Sequence, residues 1–167
     1  PGFDDAEISE ALRKYKVKHT QLDDPAVTAA GLIEDGKIIG WFQGRMEFGP
    51  RALGGRSILG DPRSPTMQKT LNLRVKYRES FRPFAPSVLR EDVADWFEID
   101  EDSPYMLMVS GVREDKRRQM TEDEKALFGI DKLNVPRSEL PAVTHVDYSA
   151  RIQTVHAETN PRYHALI

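Results

Sequence analysis

Twenty consecutive residues, GRMEFGPRALGGRSILGDPR from Gly44 to Arg63, hold five glycines, two prolines and four arginines. Such a run carries too many breakers for a helix and too much charge for a core strand. Glycine lets backbone N–H groups approach a ligand closely, and guanidinium forks match the oxygens of phosphate and carboxylate. The chemistry on offer is anion binding, at a loop bearing Arg45, Arg51, Arg56 and Arg63, with Glu47 and Gly49 between them. The alternative is a set of ordinary surface ion pairs. The run is neither a Walker loop nor a dinucleotide fingerprint: it lacks G-K-[ST], and Gly44, Gly49, Gly54 and Gly55 are wrongly spaced.

Two further clusters offer the same chemistry. KYRESFRPF, Lys76 to Phe84, places Lys76, Arg78 and Arg82 around the expected end of a helix. The helix dipole accounts for one or two cations there, not three. HVDYSARIQTV, His145 to Val155, puts His145, Asp147, Ser149, Arg151 and Gln153 on one face of a regular strand. Val146, Tyr148, Ala150, Ile152 and Val155 do not all share the other face, which predicts a bend near Tyr148. Such a polar face suits the wall of a site, or alternatively an edge strand wetted on one side. His19, His156 and His164 lack ligand-like spacing, and there is no cysteine, so no metal site is expected in this chain. Ser149 follows Asp147 and His145 along one strand, an arrangement that cannot make a nucleophile–base–acid triad.

The elements that must position these groups are legible in outline. Asp4 or Asp5 caps a helix to about Tyr15, with Ile8, Leu12 and Tyr15 at helical spacing. Asp24 caps a second, from Pro25 to about Glu34, stopped by Gly36. KIIGWFQ, Lys37 to Gln43, reads as a buried strand leading into the glycine–arginine run. A third helix spans Ser64 to about Tyr77, RPFAPSVL is extended, and EDVADWF is a short helix. PYMLMVSGV, Pro104 to Val112, is a strand, and Arg113 to Leu140 is a charged loop or helical insertion. Ala142 to Val155 forms one long strand or a hairpin around Asp147 and Tyr148. The mixture predicts one α/β domain over residues 1–167, a twisted mixed sheet with flanking helices.

Charge is distributed unevenly. Trp41 to Arg90 holds ten Lys and Arg against three carboxylates, a charge of +7 in a chain of formal charge −3, leaving −10 elsewhere. A basic middle in an acidic protein suits a focused anion site, with a solvated basic face as the alternative. No apolar run approaches the roughly 18 residues of a membrane span, so no membrane partner is expected. The absence of cysteine agrees with a reducing, cytoplasmic setting.

GWFQGRMEFGPRALGGRSILGDPR, NLRVKYRESFRPFAPSVL, SPYMLMV and PAVTHVDYSARIQTV occur in order over nearly the whole chain. Together they resemble the C-terminal region of O-carbamoyltransferases of the nodulation and antibiotic-biosynthesis type. The resemblance implies a YrdC-like domain that takes ATP, with Mg²⁺, and carbamoyl phosphate to carbamoyl adenylate. A separate N-terminal domain, related to the tRNA threonylcarbamoylation ATPase and binding iron or a similar metal, then passes the carbamoyl group to a hydroxyl acceptor. By motif, Arg51, Lys76, Arg82 and Arg151 are implied to be the catalytic cations that bind nucleotide and carbamoyl phosphate. Arg45, Glu47, Gly49, Arg56, Arg78, His145, Asp147 and Ser149 are implied substrate contacts. Implied partners are ATP, carbamoyl phosphate, the N-terminal domain of the same polypeptide and a second copy in a homodimer. The family's HVDGTAR reads HVDYSAR here, and its downstream NTSFN motif lies beyond Ile167. This predicts a domain truncated at its C-terminus, without its N-terminal partner and inactive alone. The alternative is a YrdC-like module that binds RNA or nucleotide without transferase activity. Nucleic acid is disfavoured as a partner, because the aromatics of the basic segment lie next to glycine and proline rather than at platform spacing.

Overall fold

The structure, a computed structural model, describes residues 2–167. Asp4 caps α1 (Asp5–Lys14) through a reciprocal capping box with Glu7. Asp24 caps α2 (Pro25–Glu34), and Gly36 ends it at a φ of 75°. Helix α1 buries none of its residues, and its expected apolar face stays open, with Tyr15 72% exposed.

Strands β1 (Ile39–Phe42) and β2 (Arg56–Leu59) form an antiparallel two-stranded sheet, with Ile39 opposite Leu59 and Phe42 opposite Arg56. The buried strand expected at Lys37 to Gln43 is therefore half-open: Ile39 and Trp41 pack inward while Gly40 and Phe42 face out. The third helix is shorter than expected. It runs as α3 (Met67–Leu71) and widens into a π-helical turn (Asn72–Lys76), which Tyr77 ends in the left-handed conformation. The extended segment after it contributes β3 (Ser87–Leu89), followed by a 3₁₀ turn and α4 (Val93–Trp96).

A three-stranded mixed sheet has the order β3-β5-β4. Strand β5 (Ser149–Val155) runs parallel to β3 and antiparallel to β4 (Met108–Gly111). One twisted mixed sheet was expected; the molecule has this sheet and the separate hairpin. The charged segment from Arg113 is a helical insertion with α5 (Glu122–Ala126) and α6 (Gly129–Leu133), tied back by the bridge between Arg117 and Ser138. Buried Arg137 donates to the carbonyls of Lys132, Leu133 and Val135, closing the insertion on itself. Helix α7 (Pro161–Leu166) packs Tyr163 and Leu166 with Ala29 of α2 and Val155 of β5. The main core lies under the three-stranded sheet, where Val88, Ile152 and Ala150 meet Val93, Phe97 and Val112. Among the described residues, no helix is long and apolar enough to cross a membrane.

Candidate anion-binding site

Residues Gln43 to Gly55 form the loop that joins β1 to β2, and a network of hydrogen bonds pins its base. Glu47 Oε1 accepts from the Leu53 N–H at 2.8 Å and the Gly55 N–H at 2.7 Å. Gln43 Nε2 donates to the Gly54 carbonyl at 3.1 Å and to Asn160 Oδ1 at 2.7 Å. Gln153 Nε2 donates to the Leu53 carbonyl at 2.9 Å, clasping the loop to β5. Gln153 is itself oriented by Ser87, whose hydroxyl also receives the Tyr163 proton. The base of the loop is thus held by β5 and α7, while its tip, with Phe48 and Gly49, stands in solvent.

Three of the glycines serve packing within the protein. Gly54, at a φ of 104°, lies against Tyr163, whose ring would meet a Cβ there at 2.5 Å. Gly55 lies against the Arg45 carbonyl and Glu47, and Gly60 against the Met67 sulfur. At these three positions the space a Cβ would take is filled by the protein's own atoms. Gly49 meets nothing within 4 Å and leaves the loop tip open.

Contacts sort the arginines into tied and free. Arg56 donates to the Gly49 and Arg51 carbonyls and lies 3.4 Å from Glu47. Arg63 forks onto Asp61 at 2.9 and 3.0 Å. Arg78 donates to Asn72 Oδ1 at 2.6 Å and stacks over the Phe84 ring, locking the turn after the π-helical segment. Burial tends to raise the Glu47 carboxyl, but the Gly55 and Leu53 N–H groups and Arg56 outweigh it and hold the carboxyl below its ordinary value. Arg56, Arg78 and Glu47, read from the sequence as substrate contacts, are engaged here in building the loop and turn.

Arg51 and Arg151 are different. They lie close enough for their like charges to interact: burial, and then Arg51, pull the Arg151 guanidinium below its ordinary value. The Arg51 Nε is buried without a partner. Among the described residues, neither arginine pairs with a carboxylate. Two guanidinium groups that feel each other's charge and lack a carboxylate partner favour a bound anion over the empty protein. Lys76 stands exposed at the end of the π-helical turn. Arg82 lies farther along, closing a separate turn by its N–H on the Glu79 carbonyl, in an exposed ion pair with Glu79 at 2.9 Å.

The expected alternation from His145 onward holds only from Ser149. Residues 145–148 form a turn closed by the Tyr148 N–H on the His145 carbonyl, with Tyr148 at a φ of 64°. His145 and Asp147 therefore leave the strand face on which Ser149, Arg151 and Gln153 alternate. Asp147 accepts from the Ser149 hydroxyl at 2.6 Å and its N–H at 3.0 Å, and these bonds hold its carboxyl below the ordinary value. Tyr148 adopts the backbone region that favours glycine, and Arg117 lies over its ring at 5.3 Å.

A cleft of about 880 Å³ adjoins the Leu53–Gln153 clasp, with both residues in its lining. Gln43, Arg45 and Glu47 of the loop line it, with Tyr105, Gln153 to His156, Asn160 and Arg162. Of these, only Arg45 and Glu47 were read from the sequence as substrate contacts. His156 has no ligand-like spacing and Arg162 stands outside the four motifs, so neither is legible as a cleft residue in the sequence. The tertiary fold alone brings the start of α7 beside the loop. Among the described residues, no three His, Cys, Asp or Glu side chains cluster so as to hold a metal ion.

Residues 30–167 match the family described as Carbamoyltransferase C-terminus. An uncharacterized Synechocystis sp. protein is 58% identical over all of this chain and 28% of its own length. The nodulation protein NolNO of Sinorhizobium fredii is 48% identical over 87% of this chain and 19% of its own length. The 3'-hydroxymethylcephem-O-carbamoyltransferase of Amycolatopsis lactamdurans is 39% identical over 83% of this chain and 22% of its own length. The chain thus spans less than a third of each of these relatives, and within that span its free arginines stand in two of the motifs that run in order from Trp41 to Val155. With the family match covering residues 30–167, this chain belongs to the carbamoyltransferase C-terminus family.

Proposed function

We propose that this chain is the substrate-activating domain of an O-carbamoyltransferase, binding ATP and carbamoyl phosphate and forming carbamoyl adenylate for transfer to a hydroxyl acceptor. The observation that supports the reading is the Arg51–Arg151 pair, two arginines whose like charges interact and neither of which has a carboxylate partner among the described residues. Membership in the family supports the carbamoyl chemistry. In the reaction, water releases phosphate from carbamoyl phosphate, and an oxygen of the resulting carbamate attacks the α-phosphorus of ATP. The bond from that phosphorus to the pyrophosphate oxygen breaks, and pyrophosphate leaves. No group with an unusual basicity is required; two anions must be aligned while charge builds on the leaving oxygens.

Arg51 and Arg151 supply fixed positive charge on a pinned loop and a strand. Lys76 and Arg82 add charge from the segment after α3. Arg82 must leave Glu79 to do so, but an exposed ion pair is worth only about 0–1 kcal/mol, against about 1.5–3 kcal/mol for a hydrogen bond to a charged phosphate. The chain's side chains do not form a cage for Mg²⁺ or iron among the described residues, so Mg²⁺ would be held by the ATP phosphates and no step here runs through a metal.

The test is pyrophosphate release by the polypeptide that carries this chain in its natural context, supplied with ATP and Mg²⁺. Release should depend on carbamoyl phosphate. Arg51→Gln should weaken carbamoyl phosphate or ATP binding by roughly ten- to a hundredfold. Pyrophosphate release indifferent to carbamoyl phosphate would refute the reading. So would a preference for RNA, with affinity falling steeply with salt and shallowly with each arginine removed.

A further inference from the structure

Arg82 stands exposed on a stretch of chain without regular structure: residues 77–86 form neither helix nor strand. A cation at the end of a long side chain meets an anion well only when its backbone is already held, because ordering it at the moment of binding costs affinity. Here the backbone is held from the interior, by Asn72.

Asn72 is fully buried at the start of the π-helical turn. Its Nδ2 donates to the Ser80 carbonyl at 3.1 Å and to the Arg82 carbonyl at 2.7 Å. Its Oδ1 accepts from the Arg78 Nε at 2.6 Å. Its own carbonyl receives the Tyr77 N–H, directly after Lys76, and the Arg78 N–H at 3.0 Å. One residue thus grips both ends of the segment that separates Lys76 from Arg82. The amide uses both its donors and its oxygen to do so. Gln68 lies four residues earlier, on the same helix face, and its Nε2 donates to the Phe81 carbonyl at 2.7 Å. Beyond Arg82, the Phe84 N–H donates to the Ala142 carbonyl at 3.2 Å. Single π-helical turns recur at functional sites, where the widened turn re-aims its residues.

We propose that Asn72 is a positioning residue: by holding the Ser80 and Arg82 carbonyls it fixes the place of Arg82 relative to Lys76, with Gln68 as a second clamp on the same segment. This role rests on the reading above that Arg82 binds substrate phosphate.

The experiment is steady-state pyrophosphate release by the polypeptide that carries this chain in its natural context, with ATP and carbamoyl phosphate varied in turn. Asn72→Asp keeps the acceptor for Arg78 and replaces the Nδ2 donor by an oxygen, so it releases the two carbonyls. It should raise KM for the substrate that Arg82 holds by roughly tenfold or more, and Gln68→Ala, which removes one hydrogen bond, by about threefold. Arg82→Gln should raise the same KM. In the Arg82→Gln background, Asn72→Asp and Gln68→Ala should each add less than about twofold, because the cation whose place they set is gone. A residue that merely supports the fold would behave otherwise: its loss would lower kcat through the folded fraction, leave KM unmoved and act equally with and without Arg82. Either of those outcomes would overturn the proposal. Should Asn72→Asp fail to fold, Gln68→Ala, at a solvent-facing hydrogen bond, decides by the same cycle. Arg82→Gln raising KM while the Asn72 and Gln68 variants match the wild type would overturn this inference alone. Arg82→Gln leaving both KM values unchanged would refute the reading of Arg82 as a substrate contact, and the role of Asn72 with it.

Discussion

Glu47 is the residue on which the loop's stability should turn. Replacing it with alanine strands the Leu53 and Gly55 N–H groups and removes the counter-charge of Arg56. An unsatisfied buried donor costs about 1–3 kcal/mol. The loop is only half-buried, so water recovers part of this, and a total near 3 kcal/mol is expected. For a domain of this size 1 kcal/mol moves Tm by about 2–4 °C, so Glu47→Ala should melt roughly 6–12 °C below the wild type. Glu47→Gln keeps a carbonyl oxygen for the two N–H groups and loses mainly the charge, for about 1 kcal/mol. The pH dependence has a definite sign. The folded carboxyl sits below its ordinary value of 4.5, so its contribution is fully present above that value and is lost as pH falls through the folded value. Calorimetry from neutral pH down to acid should therefore show the gap between wild type and Glu47→Gln closing in acid. A Glu47→Ala protein that melts within about 2 °C of the wild type at neutral pH, against the shift scale above, would refute the claim that this carboxylate organises the loop.

Gly54→Ala combines a φ of 104° with a Cβ 2.5 Å from the Tyr163 ring; it should cost more than about 3 kcal/mol and be visible as a large fall in Tm, while Gly49→Ala, which meets open space, should be near neutral. The Asp147 carboxyl should titrate below its ordinary 3.8 by carbon-detected NMR, and Ser149→Ala should move the midpoint up, because the Ser149 hydroxyl bond is the largest cause of the depression. A midpoint that does not move would show that the turn is held by other contacts. Tyr148→Gly should change stability by less than about 1 kcal/mol, since relief of the left-handed backbone offsets loss of the Arg117 contact; a large loss in a denaturant melt would mean that Arg117 anchors the insertion through this ring.

The sequence by itself determined what local chemistry decides. Asp4, Asp24, Pro25 and Gly36 mark helix ends because a cap is a contact within a few residues, and each acts where its type predicts. The bend at Tyr148 was legible because strand alternation fails there. The glycine–arginine run was legible as an irregular, positively charged loop from charge and breakers together, and Arg51 and Arg151 as members of basic clusters.

Only the tertiary structure decided which cations are free. Composition and charge do not distinguish Arg56 from Arg51, yet Arg56 folds back on Glu47 and the Gly49 carbonyl while Arg51 has no carboxylate partner among the described residues and acts on the charge of Arg151, a hundred positions along the chain. Arg78 is withdrawn by Asn72 and Phe84. Gly54 proved to be a packing residue because Tyr163 of α7 lands on it, a contact across more than a hundred residues that no local pattern encodes. The cleft arises for the same reason: its walls come from the loop, from Tyr105, from the end of β5 and from α7, and they meet only when Gln153 and Asn160 draw the loop down. Side-chain type sets which charges a chain carries; long-range packing sets which of them are neutralised, and an anion is recognised by those that remain.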